Sequence, residues 1–126
     1  MIDVRYVSFD CARPYELAIF WSQATGGELH PGTVPDDEEI LVVGPNLLFT
    51  RVPEGKSVKN RLHLDVTGSG GTTREQEVER LTGLGATVHE DRRNPDGTGW
   101  VVMLDPEGNE FCVCRADYEK QPQASA

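Results

Sequence analysis

The chain has 126 residues, of which 37% are hydrophobic and 26% charged, so its length suits a single globular domain. The formal net charge of −9 argues against nucleic acid and anionic membranes as partners, because both would repel the protein. The three cysteines form no disulfide framework, and neither a signal peptide nor an apolar run of the ~20 residues needed to span a membrane is visible. These features predict a cytoplasmic protein.

The first half of the chain predicts a strand, a helix and three further strands. Alternating polarity over residues 4–10 is typical of a half-buried strand. Pro14 suits the first position of a helix, whose apolar stripe includes Trp21 and which Gly26 ends. Apolar segments separated by turn residues then predict three short strands, at residues 28–30, 40–43 and 47–52.

The second half repeats this plan. Residues 61–66 alternate in polarity and predict a strand, and a helix follows Thr72 or Thr73, each of which has a capping-box partner three positions later. Gly85 ends that helix. The remaining strands are predicted at residues 86–92, 100–105 and 110–115, and residues 117–126 are predicted to form a flexible tail.

Local similarities between the two halves indicate an internal repeat. The corresponding segments are residues 6–10 with 61–65, residues 26–30 with 85–89, and Asn46 with Asn109. A short repeat inside a small domain favours pseudo-twofold symmetry over a solenoid. The chain is therefore predicted to be an α+β domain of two tandem βαβββ modules, at about residues 1–54 and 60–116.

The segment over residues 99–113 is the most distinctive in the chain, because it carries the turn Asp105-Pro106-Glu107-Gly108-Asn109 between two strands. With the run Arg61-Leu62-His63-Leu64-Asp65 and the repeat, it resembles the glyoxalase/bleomycin-resistance/dioxygenase superfamily, also called the vicinal oxygen chelate superfamily, and its glyoxalase-like domain subgroup. The resemblance implies that the modules form a curved mixed sheet, a cup with helices on the outside, and that the protein is a homodimer.

Strand alternation and the resemblance together imply that polar strand faces line the cup and apolar faces pack under the helices. On the fourth strand, Leu48 and Val52 are assigned to the apolar face. A cup lined by several polar side chains is typical of a small-molecule site. The predicted ligand-binding residues are Tyr6, Asp10, Phe49, Arg51, Arg61, His63, Asp65, Trp100, Glu110 and Cys112.

Metal-dependent relatives take one ligand from the first and last strand of each module. By position these ligands fall here on Tyr6, Phe49, Arg61 and Cys112. Phenylalanine cannot ligate a metal and arginine stays protonated, so the usual metal site is predicted to be absent, and neither a metal nor another cofactor is expected. The alternative is a shifted metal site that uses His63, Asp65, Glu110 and Cys112.

Three functions stay open at this stage. The first is metal-independent binding of a small molecule, and the absence of the usual ligands favours it. The second is a metal-dependent lyase, isomerase or dioxygenase that uses the shifted site. The third is a metal-free enzyme in which His63, Asp65 or Glu110 transfers a proton. The sequence names no ligand, and Cys112 and Cys114 are expected to be small buried residues, not reactive thiols.

Overall fold

A computed structural model describes residues 1–120 of the chain, and the chain divides into two compact units. The first unit is Met1–Val58 and the second begins at Lys59. The elements of the first unit are β1 (Val7–Cys11), α1 (Pro14–Thr25), β2 (Glu28–Leu29), β3 (Glu39–Val43) and β4 (Leu47–Arg51). The elements of the second unit are β5 (Leu64–Thr67), α2 (Arg74–Leu84), β6 (Thr87–Asp91), β7 (Trp100–Leu104), β8 (Glu110–Cys114) and a 3-10 helix (Asp117–Lys120).

Each unit contains one four-stranded sheet, and the two sheets have the same topology. In the first, β1 pairs in parallel with β4, β3 pairs antiparallel with β4, and β2 lies at the far edge. In the second, β5 pairs in parallel with β8, β7 pairs antiparallel with β8, and β6 lies at the far edge. The predicted α+β fold of two tandem βαβββ modules is confirmed.

Helix α1 begins at Pro14, as predicted, because the fixed φ of proline suits the first turn and that turn needs no N–H donor. The helix ends at Gly26, whose φ of 78° lies in the left-handed region and whose N–H donates to the carbonyl of Ser22. Trp21 of the helix lies 5.9 Å from Phe9 of β1, measured between ring centroids. This contact defines the helix face of the first sheet, and the opposite side is called the open face.

The side-chain alternation of β4 is the reverse of the prediction. Phe49 has no exposed surface and lies on the helix face, where its ring centroid is 5.1 Å from that of Phe9. Burying a phenylalanine side chain contributes about 2–3 kcal/mol, which fixes the orientation of the strand. The assignment of Phe49 to the cup lining is therefore wrong, and Leu48, assigned to the helix side, lies on the open face.

Helix α2 begins with a capping box at Thr73, one of the two predicted sites. The Thr73 hydroxyl accepts a hydrogen bond from the backbone N–H of Gln76 (3.1 Å), and the Gln76 side chain accepts one from the N–H of Thr73 (2.9 Å). Two N–H groups at the start of the helix are satisfied in this way. Gly85 follows the last turn, and its N–H donates to the carbonyls of Leu81 and Thr82.

Arg74, the first residue of α2, is charged and yet almost completely buried. Its guanidinium donates to the carbonyls of Gly97 (3.3 Å) and Gly99 (2.9 Å) in the loop between β6 and β7, and it forms an ion pair with Glu75 (2.7 Å). A buried charge is stable in a fold when it is paired and hydrogen-bonded in this manner. Arg74 therefore anchors the β6–β7 loop to the helix.

The Asp-Pro-Glu-Gly-Asn turn between β7 and β8 is held by its own side chains. One carboxylate oxygen of Asp105 accepts from the N–H groups of Glu107 (2.9 Å) and Asn109 (3.0 Å), and the other accepts from the Asn109 amide (2.9 Å). Gly108 has a φ of 86°, a conformation that glycine adopts readily. Asp105 and Asn109 are both buried, which explains the distinctive sequence of this turn.

The alternating pattern predicted that this strand begins at Arg61, but strand β5 begins at Leu64. The backbone N–H of Asn60 donates to the carboxylate of Glu110 (2.9 Å), and the chain bends at residues 61–62 before strand pairing begins. Arg61 therefore precedes the sheet. This displacement changes which residues of the two modules correspond.

The start of the predicted flexible tail is folded. Residues 117–120 form a 3-10 helix, in which the Tyr118 hydroxyl donates to the carbonyl of Thr72 (2.6 Å). Glu119 accepts from the N–H groups of Arg74 (2.9 Å) and Ala116 (2.7 Å), which ties this turn to the start of α2. The polar composition of this segment suggested a flexible tail. Its hydrogen bonds could not be foreseen, because their partners Thr72 and Arg74 are distant in the sequence. Residues 121–126 lie outside the described residues.

Candidate functional site

The open face of the first sheet carries a cavity of about 320 Å³. Its floor is formed by Leu41 of β3 and Leu48 of β4, which lie directly opposite each other in the antiparallel pairing. Tyr6, just before β1, and Glu39, at the start of β3, also line it, together with loop residues 30–33 and Asp37. The cavity thus combines an aromatic ring, aliphatic side chains and carboxylates on one side of one sheet.

The loop between β2 and β3 forms one wall of this cavity and is held by its own hydrogen bonds. The N–H of His30 donates to the carbonyl of Leu41 (2.9 Å), and the hydroxyl of Thr33 donates to the carbonyl of His30 (2.5 Å). The carboxylate of Asp37 accepts from the N–H of Val34 (2.9 Å). The segment from Val34 to Asp37 is therefore folded into a defined turn beside the cavity.

The face of the second sheet that carries Cys112 and Cys114 of β8 is called its open face, and it brings together a histidine, an aspartate and a cysteine. One potential metal-ligand atom from each of His63, Asp65 and Cys112 lies within 4.8 Å of the others. Asp65 is opposite Cys112 in the parallel pairing of β5 with β8, and Nδ1 of His63 lies 3.1 Å from the Asp65 carboxylate. Three of the four residues of the predicted shifted metal site are thereby placed together.

The thiol of Cys112 is kept protonated by its surroundings. Burial raises the pKa of Cys112 to about 11, and the nearby negative charge of Asp65 adds to this effect. Burial also raises the pKa of Cys114, on the same face of β8. Neither group has the lowered pKa of a reactive cysteine, but only Cys112 is buried as expected, because Cys114 is half-buried.

The two groups of side chains occupy corresponding positions in the repeat. Val7, the first residue of β1, pairs with Leu47 of β4, and Leu64, the first residue of β5, pairs with Phe111 of β8; Leu47 and Phe111 are both buried. When these pairs are matched, the corresponding residues are Tyr6 and His63, Ser8 and Asp65, and Leu48 and Cys112. The predicted correspondence between Tyr6 and Arg61 is therefore wrong, because β5 begins later than its pattern suggested.

The matched positions change which residues of this chain stand where metal-dependent relatives have their ligands. The first module presents Tyr6 and Leu48 at the corresponding positions, and leucine offers no ligand atom, so this half does not fit a metal. The second module presents His63 and Cys112, with Asp65 beside them, which is a donor set that suits a borderline or soft divalent cation. Arg61 and Phe49, which were expected to exclude a metal, do not occupy the matched positions.

Three other predicted ligand-binding residues are exposed. Asp10 lies on the open face of the first sheet, opposite Thr50 of β4. Trp100 begins β7 on the open face of the second sheet, opposite Cys114, and is 43% exposed. Arg61 is exposed before the start of β5. None of the three is among the residues that line the cavity or form the histidine–aspartate–cysteine group.

Arg51 and Glu110 are engaged in contacts within their own units. Arg51, at the end of β4, forms an ion pair with Glu38 (3.3 Å). Glu110 accepts a hydrogen bond from the backbone N–H of Asn60 and is not a member of the group formed by His63, Asp65 and Cys112. The shifted site therefore has three of the four predicted ligands. Glu110 instead holds Asn60, in the segment that leads into β5.

Most of the residues that line the cavity were not predicted from the sequence. Leu48 was assigned to the apolar face under the helix, and His30 was not among the predicted ligand-binding residues, whereas both line the cavity. Glu39 and Leu41 are two positions apart on β3 and therefore share a face, but residues 40–43 are all apolar, so the sequence does not show which face that is. Asp37 reaches the cavity through the fold of its loop, which the sequence does not signal either.

A family model described as "Glyoxalase-like domain" matches residues 6–114. Among solved structures, a glyoxalase/bleomycin resistance protein/dioxygenase family enzyme from Burkholderia phytofirmans shares 19% identity, with a TM-score of 0.67 over 89% of this chain and 97% of that chain. A hypothetical protein from S. aureus shares 14% identity, with a TM-score of 0.67 over 92% and 95%. At these identities the likeness concerns the fold.

A fosfomycin resistance protein, FosX, from Listeria monocytogenes is also similar. It was solved with Mn(II) and 1S,2S-dihydroxypropylphosphonic acid, and it shares 14% identity with a TM-score of 0.67 over 95% of both chains. The search of curated protein sequences gave no match. Within residues 1–120, neither helix has the length and apolar character required to cross a membrane.

Proposed function

The chain belongs to the glyoxalase-like domain family, and on that premise we propose that it binds a small organic molecule on the open face of its first module. The observation that carries this proposal is the cavity of about 320 Å³ over Leu41 and Leu48. Small-molecule pockets have volumes of roughly 300–1,000 Å³ and combine apolar walls with a few polar groups. Tyr6 and Glu39 supply such groups here.

The structurally similar FosX, which holds a small phosphonic acid, supports small-molecule binding as one use of this fold. The first module does not depend on a metal for this role, since Leu48 offers no ligand atom. The side chains that hold the ligand in this proposal are Tyr6 and Leu48, at the repeat positions that correspond to His63 and Cys112 in the second module.

The proposal is tested by a fragment screen that follows backbone amide signals by NMR. Ligands of the cavity are expected to shift the signals of Thr33, Leu41 and Leu48, and Leu48→Trp, which fills the cavity, is expected to abolish binding. Val43→Trp is the matched control, because Val43 is exposed on β3 and does not line the cavity. Fragments that bind equally well to both variants would contradict the proposal.

A second candidate function is metal-dependent chemistry in the second module, and the observation in its favour is the grouping of His63, Asp65 and Cys112. Catalytic zinc sites commonly have three protein ligands and one open position. His63 would hold the metal through a ring nitrogen, Asp65 through a carboxylate oxygen and Cys112 through sulfur. A metal bound there would supply Lewis-acid activation of a substrate oxygen.

Cobalt(II) titration tests this second candidate without an activity assay. Coordination by Cys112 is expected to give a thiolate-to-cobalt charge-transfer band in the near ultraviolet. Cys112→Ser is expected to remove the band, whereas Cys114→Ser, a matched change on the same face of β8, is expected to retain it. A protein that gives no band and retains neither cobalt nor zinc after desalting would exclude a metal site at these residues.

The proposal includes a homodimer located in the cytoplasm and built from modules at about residues 1–54 and 60–116. The expectation of a dimer comes from the family resemblance. Light scattering of the untagged protein is expected to give the mass of two chains, and the mass of one chain would contradict it.

A further inference from the structure

We infer that the cavity of the first unit selects an organic cation, namely a primary amine or guanidinium attached to a flat apolar group. This inference rests on the proposed function, because it assigns a ligand class to the same cavity. It is argued from the charge of the lining, the hydrogen-bonding groups that the lining offers, and the apolar surface beside them.

The charge of the lining has one sign. Asp37 and Glu39 contribute carboxylates, and none of the described residues that line the cavity is a lysine or an arginine. The arginine at the end of the neighbouring strand, Arg51, is held by Glu38 at 3.3 Å. A cavity with two carboxylates and no basic side chain attracts cations and repels anions.

The lining also offers acceptors in preference to donors. Nδ1 of His30 lies 2.9 Å from the carbonyl of Pro31, and a carbonyl can only accept, so Nδ1 carries the proton. In the neutral ring, Nε2 is then an acceptor. Asp37 uses one carboxylate oxygen for the N–H of Val34 (2.9 Å), which fixes the orientation of the side chain and keeps its second oxygen as an acceptor. Ammonium and guanidinium groups carry several donors, which matches this set.

The remaining lining provides a surface for an apolar group. Leu41 and Leu48 lie opposite each other on adjacent strands, and the ring of Tyr6 borders the same cavity. A flat ring buries apolar area against the leucines, and a cation near Tyr6 gains a further cation–π attraction. The lining therefore fits a ligand that joins a cationic group to a ring system.

The experiment uses three probes that share one ring and differ in charge, namely tryptamine, tryptophol and indole-3-acetate. Each is titrated into the full-length protein while the amide signals of Thr33, Leu41 and Leu48 are followed by NMR. Tryptamine is expected to bind about fivefold more tightly than tryptophol, since a charged group near carboxylates adds on the order of 1 kcal/mol. Indole-3-acetate is expected to bind most weakly, and added salt is expected to weaken tryptamine binding alone.

Two variants locate the selection in the cavity. Glu39→Gln and Asp37→Asn remove one charge each, and the amide oxygen of Asn can still accept from Val34. Each is expected to weaken tryptamine binding about threefold and to leave tryptophol binding unchanged. Glu16→Gln is the matched control, because Glu16 is exposed on α1, which packs on the other side of the sheet.

Cavity shifts with equal affinity for the three probes, or with a preference for indole-3-acetate, would overturn the inference and leave the proposed function standing. Equal loss of tryptamine binding in Glu16→Gln would overturn it too, because the effect would then come from net charge. If none of the probes shifts these amides up to its solubility limit, the inference is overturned, whereas the proposed function is decided separately by the fragment screen.

Discussion

Asp65 lies directly opposite Cys112 in the parallel pairing of β5 with β8, and its carboxylate contacts the ring of His63 at 3.1 Å. The same carboxylate adds to the burial that keeps the Cys112 thiol protonated. One aspartate is thus placed to influence both a thiol and an imidazole on one face of a sheet.

Alkylation of Cys112 by iodoacetamide is expected to be slow at neutral pH, because the thiolate is the reactive form and the pKa of this thiol is about 11. The rate should rise with pH until about 11, and Asp65→Asn should raise it near pH 8 by removing a negative charge. Peptide mass spectrometry measures the rate, and the unfolded chain, with a thiol pKa of about 8.5, serves as the reference. A rate that stops rising below pH 9 would contradict this prediction.

Phe49→Ala is expected to destabilise the protein by about 3–5 kcal/mol, because it empties a buried position between Phe9 and the surrounding helix-face side chains. Leu48→Ala, one residue away on the half-buried open face, should cost about 1–2 kcal/mol. Urea denaturation monitored by tryptophan fluorescence compares the two. Equal losses would mean that the assigned faces of β4 are incorrect.

Arg74→Met is expected to lower the free energy of unfolding by about 2–4 kcal/mol, since it leaves the carbonyls of Gly97 and Gly99 without their donor. Arg74→Lys should recover only part of this loss, because an ammonium lacks the planar fork of a guanidinium. Arg80→Ala, at an exposed ion pair on the same helix, should cost less than about 1 kcal/mol. Limited proteolysis is expected to cleave the β6–β7 loop faster in Arg74→Met than in the wild type, because the loop has lost its hydrogen bonds to Arg74.

Asn109→Ala is expected to cost about 2–4 kcal/mol, because Asp105 and the side chain of Asn60 each lose a hydrogen-bond partner in a buried turn. Asp36→Ala, an exposed loop substitution, should stay within about 0.5 kcal/mol of the wild type. Thermal and chemical denaturation measure both variants. A loss below 1 kcal/mol in Asn109→Ala would mean that the turn does not depend on its side chains.

Features set by neighbouring residues could be predicted from the sequence. Pro14 marks the start of α1 and Gly26 its end, and the capping box of Thr73 and Gln76 marks the start of α2. Each of these signals acts within one turn of helix. The turn from Asp105 to Asn109 was likewise located from its own residues. The βαβββ order followed from these local signals and from the repeat.

The faces of β4 could not be predicted in this way. Leu47, Leu48 and Phe49 are consecutive apolar residues, so the strand has no alternation from which an orientation can be deduced. Contact with Phe9, a residue 40 positions earlier in the chain, determines the outcome. The start of β5 was misplaced for a comparable reason, since Asn60 is held by Glu110, far along the sequence.

The candidate sites show the same limit. His63, Asp65 and Cys112 were each named from strand patterns, but their grouping depends on the register of β5 with β8. The cavity depends on the loop that carries His30 and Asp37, whose path is set by hydrogen bonds to β3 and within the loop.

In the repeat, Tyr6 corresponds to His63 and Leu48 corresponds to Cys112. One chain therefore contains two versions of the same pair of positions. At these positions the first module presents an aromatic and an aliphatic side chain, and the second presents a histidine and a cysteine. Because the positions lie on the open faces, their side chains can differ while the buried residues on the opposite faces, such as Phe49 in one module and Phe111 in the other, hold each sheet together. The two modules thus serve as internal references for each other: one backbone arrangement with two different sets of side chains.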